Sequence, residues 1–174
     1  MKKLILFVLV FAVVFGGTSS AIAKKWKIAF IPKLIGIPYF NAMEKGGTQA
    51  AADLGVEFIY TGPTTADSAK QIEMIDNLIT QEVDAIAVAP NNPVAITQII
   101  SKAKKKGIAV LTSDTDGALD VRQVFVNQAK EEAIANTIID ELAQQMGEEG
   151  QLAVVSCGPT AWNLNTWILH QNAR

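Results

Sequence analysis

Residues 27–40 read KIAFIPKLIGIPYF and combine a strand pattern with the loop that follows it. Its first five residues form a short apolar run that is typical of a strand buried on both faces of a parallel sheet. Because Pro32 has no amide hydrogen to donate to a sheet ladder, we expect the strand to end there. The rest is a loop that carries Lys33, Tyr39 and Phe40 and leads into a helix. In an open α/β sheet such a loop lies beyond the carboxyl end of a strand, where ligands usually bind.

The same alternation of apolar runs and amphipathic segments continues along the chain. Strands are predicted at 27–31, 56–60, 84–89, 107–112 and 121–126, with helices at 40–54, from 68 onward and at 94–105. We expect Ser68 and Gln71 to form a capping box at the second helix, and Asn92 to cap the third with Pro93 at its first helical position. Strands begin about every 25 residues with a helix between them, which predicts an α/β fold with a doubly wound parallel sheet.

The chain beyond the fifth strand is predicted to begin a second α/β lobe. A helix at about 130–146, a strand at 151–156 and a helix from about 160 follow one another. The last helix runs to Arg174 without a cap or a following strand, so we expect the sequence to be truncated and the second lobe to be incomplete.

The first 23 residues have the pattern of a secretory signal peptide. Two lysines precede an apolar run that is shorter than the roughly 20 residues needed to cross a bilayer. Ala21-Ile22-Ala23 is a small-x-small site that suits signal peptidase. We therefore expect cleavage after Ala23 and export of the chain from Lys24. Cys157 is the only cysteine, so no intramolecular disulfide can form and the core must hold the fold together.

Composition places the chain among globular proteins. Hydrophobic residues make up 49% and charged residues 18% of it, which is ordinary for a folded domain and unlike a disordered segment. The formal net charge is -2, and no basic patch interleaved with aromatic residues is present. This pattern gives no indication of a nucleic-acid partner.

Polar side chains follow three of the predicted strands at the same edge of the sheet. They are Lys33 and Tyr39 after the first strand, Asn91 after the third, and Asp114 and Asp116 after the fourth. A carboxylate, an amide, an ammonium and an aromatic face together suit a neutral polyhydroxylated molecule. Each residue also has a simpler explanation, since Asn92 suits a helix cap, Asp116 suits a turn, and Tyr39 or Phe40 could pack against the next helix.

Several motifs in a fixed order resemble one protein family. They are IPKLIGIPYF at 31–40, KGG at 45–47, GPTTAD at 62–67, SDTD at 113–116, VFVNQA at 124–129 and NLNTW at 163–167. Together they resemble the periplasmic sugar-binding proteins of ABC transporters, and within them the rhamnose-binding and autoinducer-2-binding group. The resemblance covers essentially the whole chain after the signal peptide.

The resemblance implies a two-lobed receptor that clamps one small sugar in a cleft and delivers it to membrane permease subunits, without a cofactor. Such proteins are periplasmic, and their lobes are joined by a hinge of three crossing strands. Residues 24–126 correspond to the first lobe. Residues 127–174 correspond to the first hinge crossing, at Asn127-Gln128, and to the truncated start of the second lobe.

Site residues carried over from the resemblance lie in both parts of the chain. Lys33 matches the family's ligand-contacting lysine, Asp114 its hydroxyl-binding aspartate, and Tyr39 and Phe40 its aromatic positions in the cleft. Autoinducer-2 binders carry an Asp-Gln pair where this sequence has Asn163 and then leucine. Asn163 suits the rhamnose-like members, and the ligand is left open between a deoxyhexose, a pentose and a furanosyl signal molecule.

Other functions receive less support from the residues. A receptor for a sugar or autoinducer-2 signal would share all of these features. A secreted carbohydrate-acting enzyme could pair Asp114 with Asp116, but alternate residues of an extended chain point to opposite faces, and His170 lies far along the chain. A sugar-sensing repressor would begin with a helix-turn-helix. The DTDG motif lacks a calcium loop's spacing, because Gly117 falls at the fourth position and not the sixth. We therefore expect a binding protein with no enzymatic activity and no metal.

Overall fold

The computed structural model describes residues 24–174, so the predicted signal peptide lies outside the described residues. Five parallel strands form one sheet in the order β2-β1-β3-β4-β5. Their bounds are β1 Lys27–Ile31, β2 Glu57–Tyr60, β3 Ala85–Val88, β4 Ala109–Ser113 and β5 Val124–Val126. The five strands predicted between residues 27 and 126 all form, and the parallel α/β architecture is confirmed.

Helices connect the first four strands and follow the fifth, whereas residues 114–123, which join β4 to β5, contain no helix. Their bounds are α1 Pro38–Leu54, α2 Ser68–Thr80, α3 Thr97–Lys105, α4 Glu131–Met146 and α5 Trp162–Ala173. No helix among residues 24–174 is both long enough and apolar enough to span a membrane.

The two faces of the sheet are covered by different helices. On one face, Ala29, Ile86 and Val110 lie side by side in adjacent strands and form the main core with Ile75 of α2 and Ile100 of α3. These five side chains are almost completely removed from solvent. Burial of such aliphatic side chains is the main stabilising contribution to a fold of this type.

Helix α1 packs on the opposite face, against β2. A Cβ atom placed on Gly47 would lie 2.3 Å from the ring of Phe58, so only glycine lets this helix approach the strand. Phe30 and Tyr60 stack beside this contact with ring centroids 6.0 Å apart. With α2 and α3 on one face and α1 on the other, the sheet is doubly wound.

Two predicted helix starts differ from the structure. The prediction of a capping box at Ser68 is wrong. Asp67 is the cap, because its carboxylate accepts a hydrogen bond from the Lys70 amide at 3.0 Å. Gln71 is buried in the core. Asn92 does cap a turn, since its Oδ1 accepts hydrogen bonds from the amides of Val94 and Ala95. The regular helix nevertheless begins three residues later than predicted, at Thr97.

The prediction of a strand at 151–156 is wrong, because the structure has no strand there. The segment belongs to no sheet, and among the described residues no strand lies beside it to share a ladder of hydrogen bonds. Apolar alternation predicts which segments suit a strand, but a strand forms only where a partner satisfies its backbone groups. Leu152 and Val154 are half-exposed and Val155 is 94% exposed.

Candidate functional site

The loop that follows β1 is held against the rest of the sheet edge. Pro32 is buried, and a Cβ atom on Gly62 would lie 3.0 Å from its ring, so the loops after β1 and β2 touch. The amide of Ile35 donates a hydrogen bond to the carbonyl of Pro63 at 2.9 Å. These contacts fix the backbone on either side of Lys33 at the carboxyl edge of the sheet.

Asp114 follows β4 in an unusual backbone conformation. Its φ is +63°, in the left-handed region that few non-glycine residues adopt. The amide of Thr115 donates to the carbonyl of Ser113 at 2.6 Å, which closes a three-residue γ-turn around Asp114. The main-chain amide of Asp114 also donates to the carbonyl of Val126 in β5 at 3.3 Å. The turn and the neighbouring strand together fix the direction of the Asp114 carboxylate.

The Asp114 carboxylate forms an ion pair with a side chain of the β1 loop and accepts a hydrogen bond from a side chain of α1. Lys33 Nζ lies 2.7 Å from its Oδ2, and the Tyr39 hydroxyl donates to its Oδ1 at 3.0 Å. Asp114 is only 6% exposed. Partial burial of Tyr39, the charge of Asp114 and the hydrogen bond between them raise the pKa of Tyr39 to about 12. Tyr39 is therefore a neutral hydroxyl donor at physiological pH.

Lys33 also reaches the second part of the chain. Its Nζ donates to the Oδ1 of Asn163 at 2.8 Å, across 130 positions of sequence. Asn163 lies in the first turn of α5 and is 4% exposed. One ammonium group thus links the end of β1, the end of β4 and α5. The structure brings together four predicted site residues whose side-chain polar groups contact one another. We call them the Lys33 cluster: Lys33, Tyr39, Asp114 and Asn163.

Asn91 supports the Lys33 cluster from behind. Its side-chain amide donates to the main-chain carbonyl of Lys33 at 2.8 Å. The main-chain amide of Asn91 donates to the side-chain Oε1 of Gln71 at 2.9 Å. Sequence reasoning missed Gln71 as a site-related residue. The available signal was a polar residue one turn before Ile75, on the stripe of α2 that faces the core.

Asp116 lies apart from the Lys33 cluster. Arg122 contacts both of its carboxylate oxygens, with Nε at 2.9 Å and Nη2 at 2.7 Å, and the Thr112 hydroxyl donates at 2.6 Å. Burial alone would raise the pKa of Asp116, but the hydrogen bonds from Arg122, Thr112 and the Gly117 amide, with the charge of Arg122, lower it below its ordinary value. Asp116 therefore closes the turn after β4 while its carboxylate is engaged by protein donors.

Phe40 lies beneath Tyr39 and not beside the polar groups. It is 3% exposed, and its ring meets the ring of Tyr39 edge-on, with centroids 5.0 Å apart and planes at 76°. Its carbonyl accepts a hydrogen bond from the Tyr60 hydroxyl at 3.3 Å. Phe40 thus fixes the orientation of Tyr39, which remains 46% exposed.

The Lys33 cluster has the chemistry to orient a neutral, hydroxyl-rich molecule. The positive charge of Lys33 and the negative charge of Asp114 balance each other, so no excess charge attracts an ionic ligand. The four groups supply an ammonium donor, a carboxylate acceptor, a phenol and an amide. Tyr39 also offers an exposed aromatic surface for the C–H groups of a ring.

A parallel sheet with convergent polar groups at its carboxyl edge defines an open α/β protein of the ligand-binding type. The chain belongs to the periplasmic binding protein domain family, which matches residues 28–172. The family resemblance that the sequence motifs indicated is thereby confirmed.

Similar proteins of known structure include two sugar complexes. One is an ABC transporter solute-binding protein from Clostridium phytofermentas with bound L-rhamnose. Its sequence is 35% identical and its TM-score is 0.81, and the match covers 87% of this chain and 47% of that one. Another is an ABC transporter solute-binding protein from Burkholderia graminis in complex with D-arabinose, which is 28% identical with a TM-score of 0.82 over 87% of this chain and 52% of that one.

Curated relatives are also named as sugar-binding proteins. The D-allose-binding periplasmic protein of Escherichia coli K12 is 29% identical over 142 residues, which is 75% of this chain and 45% of the relative. The chain spans less than half the length of the curated relatives it matches. The names of these relatives describe binding proteins for xylose, ribose and allose.

Proposed function

We propose that this protein is an extracytoplasmic solute-binding protein that captures a small neutral sugar and delivers it to the permease of an ABC transporter. Membership of the periplasmic binding protein domain family and the names of the relatives support the class of protein. The charge-balanced Lys33 cluster supports a neutral polyol as ligand. The protein is proposed to bind its ligand without chemical change, since Asp114 is paired with Lys33 and Asp116 with Arg122.

The bond between Lys33 and Asn163 is the single observation that carries this proposal. It joins the carboxyl edge of the sheet to α5, with a heavy-atom distance of 2.8 Å and Asn163 almost fully buried. In the proposed organisation, residues 24–126 form the first lobe and residues 127–174 begin the second, with Asn127-Gln128 as the first hinge crossing. A ligand bound at Lys33 would then contact both lobes, and closure around it would exclude water from its hydroxyl groups.

The sugar is proposed to be a deoxyhexose or pentose of the rhamnose or arabinose type. Support comes from the two sugar complexes that share the fold at 35% and 28% identity. The site residues proposed to contact it are Lys33, Tyr39, Asp114 and Asn163, with Asn91 holding the Lys33 backbone. Phe40 and Asp116 are proposed to shape the site, through Tyr39 and through the turn after β4.

Export is proposed to proceed through the signal peptide at residues 1–23, with the mature protein beginning at Lys24. Expression of the full chain in a Gram-negative host tests this directly. We expect the protein in the periplasmic fraction with a mass that corresponds to an N-terminus at Lys24. Recovery of the unprocessed chain from the cytoplasm would contradict the proposed localisation.

Sugar binding is tested by titrating the purified mature protein with L-rhamnose, D-arabinose, D-allose, D-xylose and D-ribose up to millimolar concentration, by calorimetry and by tryptophan fluorescence. We expect saturable binding of at least one sugar, recovered unchanged from the mixture. Asp114→Asn should weaken that binding at least about tenfold, because a charge-assisted hydrogen bond is lost. Asp116→Asn should weaken it less. Absence of binding to every sugar, or appearance of a reaction product, would overturn the proposed function.

A further inference from the structure

Gln71 is a fully buried polar side chain in the otherwise apolar face of α2. It is 1% exposed and lies one helical turn before Ile75, which belongs to the main core. A buried amide is costly unless its donors and its acceptor all find partners. An aliphatic residue at this position would avoid that cost. The hydrogen-bond partners of Gln71 therefore indicate the role of its side-chain amide.

All three side-chain hydrogen bonds of Gln71 go to main-chain groups at the carboxyl edge of the sheet. Its Nε2 donates to the carbonyl of Pro32 at 3.1 Å and to that of Ala89 at 2.8 Å. Its Oε1 accepts from the amide of Asn91 at 2.9 Å. Pro32 directly follows β1, and Ala89 directly follows β3. Gln71 therefore bridges the two strands just beyond their own ladder, whose last bond runs from the Ala89 amide to the carbonyl of Ile31 at 2.9 Å.

The bridge leads to Lys33 through Asn91. Gln71 fixes the Asn91 backbone, and the Asn91 side chain donates to the Lys33 carbonyl at 2.8 Å. Lys33 in turn extends its ammonium to Asp114 at 2.7 Å and to Asn163 at 2.8 Å. The links are separate hydrogen bonds, with an ion pair at Asp114, so the location of the ammonium depends on a chain of contacts that begins at Gln71.

We propose that Gln71 is the positioning residue of the Lys33 cluster: it holds the ends of β1 and β3 in register so that Lys33 meets Asp114 and Asn163. It acts through Asn91 and the β1 loop and does not itself contact a ligand. The consequence for sugar affinity rests on the function proposed above. The effect of Gln71 on the location of Lys33 does not depend on that function. The positioning role of Gln71 and the proposed sugar binding can therefore be tested separately.

The primary test measures how fast an amine-acetylating reagent modifies Lys33, followed by peptide mass spectrometry. In the native protein Lys33 should react slowly, because its side chain is 12% exposed and paired with Asp114. Gln71→Met keeps the length of the side chain but removes all three hydrogen bonds. We expect Lys33 to be labelled about tenfold faster in this variant, while the labelling of Lys104 in α3 stays unchanged.

Gln123→Met is the control for the same substitution at an exposed glutamine. The Oε1 of Gln123 also accepts a main-chain hydrogen bond, from Val110 at 2.6 Å, but at the start of β4 and β5, away from the Lys33 cluster. An equal rise of Lys33 labelling in both variants would indicate a general loosening of the fold and would overturn the proposal. Faster labelling of Lys33 in Gln71→Met alone supports positioning, and equal labelling rates of Lys33 in Gln71→Met and the native protein would overturn it.

The order of the links is tested by combining Gln71→Met with Asn91→Ala. Because both changes act on the same path, the double variant should label Lys33 little faster than the more affected single variant. Multiplicative effects would show that Gln71 and Asn91 act independently, which contradicts the proposed path.

A measurement on the native protein keeps the proposal testable if Gln71→Met does not fold. The Asn91 amide lies outside the strands but donates to a buried side chain, so we expect hydrogen exchange as slow as that of β3 amides. Exchange as fast as at the Gly36 amide in the neighbouring loop would overturn the proposal. If the native protein binds none of the five sugars, the proposed function fails, whereas the labelling and exchange results still decide the role of Gln71.

Discussion

The contact between Lys33 and Asp114 is expected to be a strongly coupled ion pair, and substitution of either partner should destabilise the protein. The two charged groups are 2.7 Å apart, and their side chains are 12% and 6% exposed. Asp114→Asn keeps the shape of the side chain and removes its charge. Hydrogen bonds to charged groups contribute about 1.5–3 kcal/mol, so the free energy of unfolding should fall by an amount in that range.

The loss should stay below the larger value seen when a buried charge is left with no partner, which is about 3–5 kcal/mol. Asn163 still accepts a hydrogen bond from Lys33 at 2.8 Å in the variant, so the ammonium keeps one partner. Asp114→Ala is a less suitable change. Alanine would have to adopt the φ of +63° at this position, which adds about 1 kcal/mol of backbone cost to the loss of the charge.

Urea unfolding of four proteins, followed by tryptophan fluorescence, measures the coupling. They are the native protein, Lys33→Met, Asp114→Asn and the double variant. Removal of both partners should cost less than the two single changes together, with a coupling free energy of about 1.5–3 kcal/mol. The exposed pair of Lys70 and Glu73 in α2 is the control cycle, where about 0.5 kcal/mol or less is expected. A Lys33–Asp114 coupling no larger than this control would refute the pairing.

Two further predictions follow from the turn after β4 and from the packing of α1. Because the folded-state pKa of Asp116 lies below its ordinary value of 3.8, its carboxylate stabilises the fold above that pH, and this contribution is lost as pH falls through the folded-state value. The stability difference between the native protein and Asp116→Asn should therefore be greatest at neutral pH and shrink under acid, and a pH-independent difference in urea midpoints would contradict this. In α1, Gly47→Ala should destabilise the protein by about 1–3 kcal/mol, because the new Cβ atom would meet the Phe58 ring. Gly46→Ala has open space around it and should stabilise the protein by about 0.5–1 kcal/mol. Equal shifts of the melting temperature for the two variants would show that α1 does not pack on β2 as described.

The strands and their parallel pairing could be predicted from local pattern alone, whereas the strand order β2-β1-β3-β4-β5 comes from the structure. Short apolar runs separated by helical segments require parallel pairing, and all five predicted strands between residues 27 and 126 form. The strand predicted at 151–156 shows the limit of that reasoning. Its sequence suits a strand, but pairing depends on a neighbouring strand, and no property of the segment itself supplies one.

The candidate site was predictable in its residue types but not in its contacts. Lys33, Tyr39 and Asp114 follow strands at one edge, so their proximity follows from topology. The bond between Lys33 and Asn163 joins residues 130 positions apart, and no local spacing encodes it. Gln71 was interpreted as a capping residue because its distance from Ser68 matches a capping box, whereas burial assigns it to the core.

Residue-resolved NMR of the mature protein during a titration with L-rhamnose tests whether a sugar binds at the Lys33 cluster. We expect saturable shifts of the amides at 33–41, 89–92 and 113–116 and of the Asn163 side-chain amide, all with one dissociation constant. Shifts concentrated in the apolar groove between α4 and α5, which Leu142, Val154 and Trp167 line, would contradict binding at the Lys33 cluster. So would saturable binding that leaves the amides around Lys33 and Asp114 unchanged.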